Sequence, residues 1–443
     1  MRNSCKPRRA RRSRREEAAS ARRVVGRDSH GGIRTACRTA ILVAAAWPID
    51  CGTDRGSLRA ADVPGVSAAS PAAETLSPLE ARFLAPPVQV TAGMPKAGEG
   101  YFRPDARQIC FQAVPSGYPF YQIFVQGFDP SAFDANVNAA GTRSAEPLRI
   151  SPGRGRTTCA WFSPDGGRLL FASSHLDPDL AGTEEAARRQ AEEDARSGRR
   201  RRYQWDFDPH MELFAADVRG DGMLTRLTDS PGYDAECSYA PDGTTILFVS
   251  DRDGDPDIYV MNADGSGVRQ LGNQPGYDGG PFFSPDGGWI TYRTDRVEKD
   301  LLQIHVMRAD GSGDTAVTAG AGVRWAPYWH PTRPWLIWTG ADHSDPAKRP
   351  NYDLWIIRYD TSEEQLRWSK PLRLTDHASA DVLPVFSPDG RILMWTSGRG
   401  ADGGGRGGAS QLWASRVDID RLAAALDALP LGTRPVGETT DAP

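Results

Sequence analysis

The chain has 443 residues, a formal net charge of −4, 39% hydrophobic and 25% charged residues, and 46 glycines with 34 prolines. That much glycine and proline excludes a mainly helical architecture, because each one inside a helix costs ~1–3 kcal/mol, and no run reaches the ~18 apolar residues of a membrane span. Residues 1–60 carry 15 Lys/Arg against five Asp/Glu, which leaves residues 61–443 at −14, and an acidic body argues against nucleic acid as a partner.

The basic leader, residues 1–60, includes Arg8, Arg9, Arg11, Arg12, Arg14 and Arg15, a like-charge block expected to repel itself and stay disordered. The apolar run at 40–47 follows Arg34 and Arg38 and reads as an export signal, so a periplasmic or secreted location is expected. Residues 61–87, rich in Ala, Pro and Ser, read as a flexible linker.

A repeat governs the rest. The motif Phe-Ser-Pro-Asp-Gly occurs at 162–166, 283–287 and 386–390, with looser copies at 102–105, 239–243 and 329–332. The anchors are Pro104, Pro164, Pro241, Pro285, Pro331 and Pro388. Pro-Asp-Gly is turn chemistry: proline presets φ, aspartate caps backbone N–H groups, and glycine accepts positive φ. After each anchor comes an apolar strand (108–113, 168–173, 245–250, 289–293, 335–339, 392–396). A second strand alternates with period two (122–125, 212–214, 257–260, 303–306, 353–356, 411–413). Short strands then end at Ser151, Thr228, Gly272, Thr318 and Thr375, while the sixth of this kind, 89–91, precedes the first anchor. From the last residue of each short strand to the next anchor proline the distance is 13 residues in all six cases.

These elements predict an all-β fold: a six-bladed β-propeller of four-stranded blades over residues 88–418, with strand 89–91 closing the ring in the last blade. Blade 2 carries an insertion at 177–202, read as an exposed helix that is either a partner-docking arm or a solvated decoration. A short C-terminal helix is expected at 419–429, followed by a tail to 443.

The constant segment leads into the innermost strand, which places its loop at one mouth of the central channel. Seven residues before the anchors stand Ala97, Thr157, Asp234, Asp278, Arg324 and Asp381, and two positions on come Glu99 and Glu236. Carboxylates gathered on one axis attract cations or a basic peptide. Tyr233, Tyr277 and Trp325 flank them with stacking faces. The ligand-binding candidates are therefore Asp234, Glu236, Asp278, Arg324, Asp381, Tyr233, Tyr277 and Trp325, with turn capping as the competing role of the aspartates.

No catalytic residue is assigned. The chain has no Gly-x-Ser-x-Gly elbow, no His-Glu-x-x-His and no Walker A loop. Channel carboxylates acting as a pair on a sugar substrate form the enzymatic alternative, a carbohydrate-active hydrolase or lyase. Residues 251–257 carry acids at alternate positions, like a calcium loop, but without the glycine and terminal glutamate of an EF-hand, and no metal or cofactor is assigned. Cys110, Cys159 and Cys237 read as buried thiols, for which a disulfide is not required.

The Phe-Ser-Pro-Asp-Gly copies, Asp251-Arg252-Asp253-Gly254, the run from Asp257-Ile258-Tyr259-Val260 to Asp264-Gly265, and Arg226-Leu227-Thr228 together resemble the TolB-type, WD-like propeller family. The resemblance covers about residues 88–418. It implies a six-bladed fold, an envelope location, and a binding face for protein or peptide partners around Asp234, Asp278, Arg324 and Asp381. Family members place a smaller α/β domain before the propeller, and residues 1–87 do not read as one. The expected function is that of a non-enzymatic, monomeric, exported scaffold or transport accessory.

Overall fold

The computed structural model describes residues 75–133, 146–197, 207–345, 347–361, 366–400 and 410–437. The leader with its expected export signal, residues 61–74 of the expected linker, and Cys5, Cys37 and Cys51 lie outside the described residues.

Six four-stranded antiparallel units follow the repeat. The innermost strands are Lys96–Phe102, Thr157–Phe162, Asp234–Tyr239, Asp278–Phe283, Gly322–Trp329 and Asp381–Phe386. Blade 3 shows the pattern: Asp234–Tyr239, Thr245–Ser250, Asp257–Asn262 and Arg269–Gln270, in that spatial order. Each anchor is the turn between the first two strands. In blade 2, Gly166 N–H donates to Ser163 O and Ser163 Oγ to Asp165 Oδ1, while Gly166 sits at φ +70°. In blade 5, His330 takes the serine's place, and its Nδ1 accepts from the backbone of Thr332 and Arg333 at 3.3 and 3.1 Å.

The short strands share a second device. Their terminal hydroxyl accepts the N–H of the third strand and donates to that strand's first side chain. The donations are Ser151 to Gln122 at 2.7 Å, Thr228 to Glu212 at 2.6 Å, Thr318 to Gln303 at 2.9 Å and Thr91 to Gln411 at 2.8 Å. The hydroxyl ending that pattern therefore stitches strands three and four at the face of the ring where the inner strands begin.

Ring closure follows the expected route. Val88–Gln89 pairs with Gln411–Arg416, so the last blade takes its outer strand from the front of the chain. Residues 75–87 depart from the flexible linker read in the sequence. They form a 3-10 turn at Glu80–Arg82 and then an isolated bridge from Leu84 to Val417. Phe83 and Leu84 are buried against Trp335, Trp395, Trp413 and the helix residues Leu422 and Leu426. Composition concealed this because a few apolar residues, Phe83 and Leu84 with Leu76 beside them, suffice to anchor the strap.

Under the strap lies a fully buried charge cluster. Arg399 pairs with Asp381 and with Glu80, and its Nε lies 3.1 Å from Asp381 Oδ1. The C-terminal helix α2 (Ile419–Asp427) starts on Asp418, whose side chain accepts from Arg421 N, and packs on the same cluster of blade 6 side chains. Beyond it, Leu431–Gly432 pairs with Arg367–Ser369. The insertion in blade 2 forms helix α1 (Leu180–Ser197), in which Glu184 is the buried residue. Glu184 accepts from Tyr118 Oη at 2.7 Å and Arg154 Nη2 at 2.9 Å, which docks the helix on the loop entering blade 2. Residues 198–202 of the expected arm lie outside the described residues.

Removing the cation from this buried cluster leaves two carboxylates uncompensated. Arg399→Ala is expected to lower the unfolding free energy by about 3–5 kcal/mol, read as a shift in the urea midpoint.

Candidate functional site

The channel is built from one irregularity repeated six times. Each inner strand's pairing with its neighbour skips at the same place, between Gly98 and Gly100 in blade 1 and between Val382 and Val385 in blade 6. The residues at the skip are Glu99, Cys159, Glu236, Gly280, Ala326 and Leu383, with φ from +44° to +57°. All stand five residues before an anchor proline. A β-bulge re-aims a side chain, and the left-handed region costs an ordinary residue ~1–2 kcal/mol. The bulge brings residues of neighbouring blades together. Glu99 bonds the Cys159 thiol, and Glu236 Oε2 accepts from Gly280 N–H at 2.6 Å.

Glu236 is the most heavily bonded member. It accepts from Tyr277 Oη at 2.8 Å, from Tyr233 Oη at 3.3 Å, and from Arg293 Nη2 at 2.8 Å. Arg293 and Glu236 are both buried, so their charges cancel inside the ring rather than facing a ligand. Gly280 is required here, since a Cβ would lie 2.2 Å from Arg293 Nη1. Glu99 is treated differently. It is half-buried, accepts from Tyr101 Oη at 3.3 Å, and has no ion pair among the described residues. Burial pushes its carboxyl up to about 7, against the lowering pull of the Cys159 hydrogen bond and the Arg293 charge.

Two positions further along, aromatic rings fill the axis. Tyr101, Trp161, Phe282 and Tyr328 come from blades 1, 2, 4 and 5, yet Tyr101 touches Phe282 (centroids 5.9 Å) and Trp161 touches Tyr328 (6.3 Å) across the ring. The Tyr101–Trp161 and Trp161–Phe282 pairs at 4.7 and 5.1 Å complete the plug. Aromatic pairs are worth about 0.5–1.5 kcal/mol each beyond their burial, so the plug is a firm floor. The channel is blind on the side of the Pro-Asp-Gly turns.

The carboxylates singled out in the sequence go elsewhere than an open mouth. Asp234, Asp278 and Asp381 are each the first residue of an inner strand and are buried. Each meets an arginine just past the second strand of its own blade: Asp234 with Arg252 at 3.0 Å, Asp278 with Arg296 at 2.6 Å, and Asp381 with Arg399. The preceding aspartates cap the neighbouring loop, with Asp251 accepting from Tyr233 N–H and Asp295 from Tyr277 N–H. Arg324 is buried too and donates to Gln303 Oε1 and Gly322 O at 3.0 and 3.1 Å. Tyr233 and Tyr277 are buried and serve Glu236. Trp325 alone of the eight is half-exposed.

The rim contains residues that the sequence reading passed over. Phe207, where the chain returns from the blade 2 insertion, lies edge-on to Tyr233 at 5.1 Å and tilted on Tyr277 at 5.8 Å. Trp325 and Phe207 share one cluster with Leu301, Ala380 and Leu383. Lys96 sits over the Tyr121 ring at 5.0 Å, and burial lowers its ammonium to about 8. Register within the constant segment was the available signal for Glu99 and for the aromatic floor. Phe207 had none, being set by the insertion. Cys110, Cys159 and Cys237 are free thiols. A cleft of about 680 Å3 lies away from the channel between the N-terminal strap, the start of α2 and the blade 5 and 6 turns, lined by Arg82, His330, Arg333, Asp389 and Asp418.

Comparison with known proteins agrees with the repeat. The TolB beta propeller domain family matches residues 205–273, which span the outer half of blade 2 and all of blade 3. The Tol-Pal system protein TolB of Bordetella pertussis is 41% identical over 54 residues, 12% of this chain and 12% of the relative, so the match spans about an eighth of that protein. Among solved structures, TolB from Acinetobacter baumannii aligns at TM-score 0.46 and 15% identity, over 71% of this chain and 64% of its own. The oligogalacturonate lyase of Vibrio parahaemolyticus aligns at TM-score 0.45 and 14% identity, over 75% and 81%. Residues 205–273 thus match a TolB-type β-propeller repeat.

Gly280→Ala is expected to displace Arg293 from Glu236 and to cost about 3 kcal/mol or more in unfolding free energy by leaving a buried carboxylate uncompensated. Glu99 supplies a pH signature. Its carboxyl keeps its proton up to about pH 7 when folded but releases it near 4.5 when unfolded, so this group's contribution falls as pH rises through that interval. Glu99→Gln is therefore expected to gain stability relative to the parent between about pH 5 and about pH 8, measured by urea titration at the two values.

Proposed function

We propose that this TolB-type propeller is a non-enzymatic, exported binding protein that takes a protein or peptide segment into the mouth of its channel. The observation that carries the reading is the blind socket. Half-exposed rings of Phe207 and Trp325 stand at the rim, Glu99 is recessed behind them without an ion pair, and the aromatic plug forms the floor. Aromatic anchors around a desolvated pocket suit a partner side chain inserted from outside. Glu99 favours a segment that brings a cationic or hydrogen-bond-donating group, since a bound cation draws the carboxyl into its charged form. Asp234, Asp278, Asp381 and Glu236 frame this socket through their ion pairs, and Arg324, Tyr233 and Tyr277 brace it. An envelope location fits the charge pattern of the leader and the Tol-Pal relative. No helix among the described residues is long and apolar enough to cross a membrane.

The enzymatic alternative needs two carboxylates that can exchange protons with a sugar. Glu236 is held by Arg293 and two tyrosines, and each strand-initial aspartate by an arginine, which leaves Glu99 as the single channel carboxylate without an ion pair among the described residues.

The test is affinity capture from an envelope extract with the intact protein, alongside Phe207→Ala and Trp325→Ala. Loss of the captured partner in both, with unfolding free energies from urea titration within about 1 kcal/mol of the parent, is expected. Equal capture by all three proteins excludes the mouth. Turnover of oligosaccharides by the parent and not by Glu99→Gln would instead favour the hydrolase or lyase.

A further inference from the structure

Blade 3 departs from its siblings at one position, and the departure leaves a buried oxygen without a partner. In four blades the hydroxyl ending the short strand donates to the first side chain of the third strand, and in blade 5 Arg373 pairs with Asp353 there at 2.6 Å. Blade 3 has Gly272 at the hydroxyl's place and Asp257 as the side chain. Asp257 is fully buried, and its Oδ1 has no hydrogen-bond partner. A buried unpaired carboxylate oxygen is costly and calls for a compensating group.

The geometry points to a divalent cation, and we propose that the hairpin joining the second and third strands of blade 3 is a calcium site formed by Asp253, Asp255 and Asp257. Each of these offers a carboxylate oxygen, and the three oxygens lie within 4.8 Å of one another. The carboxylates are held from outside the cluster. Gln270 Nε2 donates to Asp253 Oδ2 and to Asp257 Oδ2 at 2.5 and 3.0 Å, Asn273 Nδ2 to Asp253 Oδ2 at 3.2 Å, and Gly276 N–H to Asp255 Oδ2 at 3.0 Å. A bound cation would displace the Gln270 and Asn273 N–H bonds, and a half-turn of either amide would then present its carbonyl oxygen to the cation. An all-oxygen donor set with no nitrogen or sulfur selects a hard cation, and calcium tolerates the mixed, irregular geometry of a hairpin better than magnesium does.

The site also has a structural reach. Gly276 precedes Tyr277, whose hydroxyl holds Glu236 in the channel, so a cation fixing Asp255 would fix the loop that carries that tyrosine. Asp278, next in the chain, also keeps a buried Oδ1 without a partner.

The experiment is equilibrium dialysis of the full-length protein against 45Ca, with thermal unfolding in Ca2+ and in Mg2+. One site per chain is expected, with Kd in the range of about 10⁻⁵–10⁻³ M and a Ca2+-dependent rise in Tm. Asp253→Asn combined with Asp255→Asn changes only the more accessible ligands and is expected to weaken binding at least about tenfold. Gly272→Thr, which restores the hydroxyl found in sibling blades, keeps the three acids and is expected to weaken binding by giving Asp257 a competing partner. No uptake by the parent at about 5 mM Ca2+, or equal uptake by the doubly substituted protein, overturns the assignment. Mg2+ binding as tight as Ca2+ overturns the choice of calcium.

Discussion

Everything in the channel depends on the β-bulge that each inner strand carries at one place. Five of the six residues there are not glycine, and their positive φ costs ~1–2 kcal/mol each. A strand with regular alternation would send these side chains to a blade face instead. The invariant spacing of 13 residues before each anchor is the sequence trace of this constraint, because an insertion within it would shift the bulge along the strand. Large insertions are accommodated elsewhere, as helix α1 shows between the second and third strands of blade 2.

The second dependency is charge cancellation around the ring. An aspartate opening the inner strand reaches an arginine beyond the second strand in three blades, and in blade 6 that arginine also takes Glu80 from the N-terminal strap. Buried pairs of this kind add little net stability but penalise any arrangement that separates them. They therefore fix which strand end lies beside which. In blade 6 the pair also specifies that the first described segment of the chain returns to the last blade. Hydrophobic burial of Phe83 and Leu84 then fastens the same closure.

This explains what could be read from residues alone. Turn chemistry, period-two alternation and fixed spacing are local, so six blades, their strands and the closing strand followed from the sequence and match the structure. The fate of the aspartates was not local. Asp234 and Arg252 are 18 residues apart and meet only once the first two strands pair, so a carboxylate that looks free in the sequence is neutralised in the fold. The repeat position two residues beyond the aspartates holds the channel residues Glu99, Cys159 and Glu236. Their importance required knowing that a bulge sits there. The strap at 75–87 was hidden by composition, and Phe207 by an insertion no sibling blade shares.

The distribution of charge inside the ring also decides between a conduit and a socket. A conduit needs an axis open at both ends, and Tyr101, Trp161, Phe282 and Tyr328 fill this axis with rings contributed from opposite blades. Above that floor, Arg293 spends its charge on Glu236, while the Glu99 carboxyl has hydrogen bonds from a phenol and a thiol and no ion pair among the described residues. Burial raises this carboxyl to about 7, and the Arg293 charge and the Cys159 hydrogen bond offset that burial only in part. In the proposed binding role its ionisation would be set by the guest: a cationic group would lower the carboxyl's pKa and gain a charge-assisted bond, whereas an apolar one would leave it protonated. The ring would then discriminate among ligands through this carboxyl, because the neighbouring arginine pairs leave it the channel carboxylate without an ion pair among the described residues.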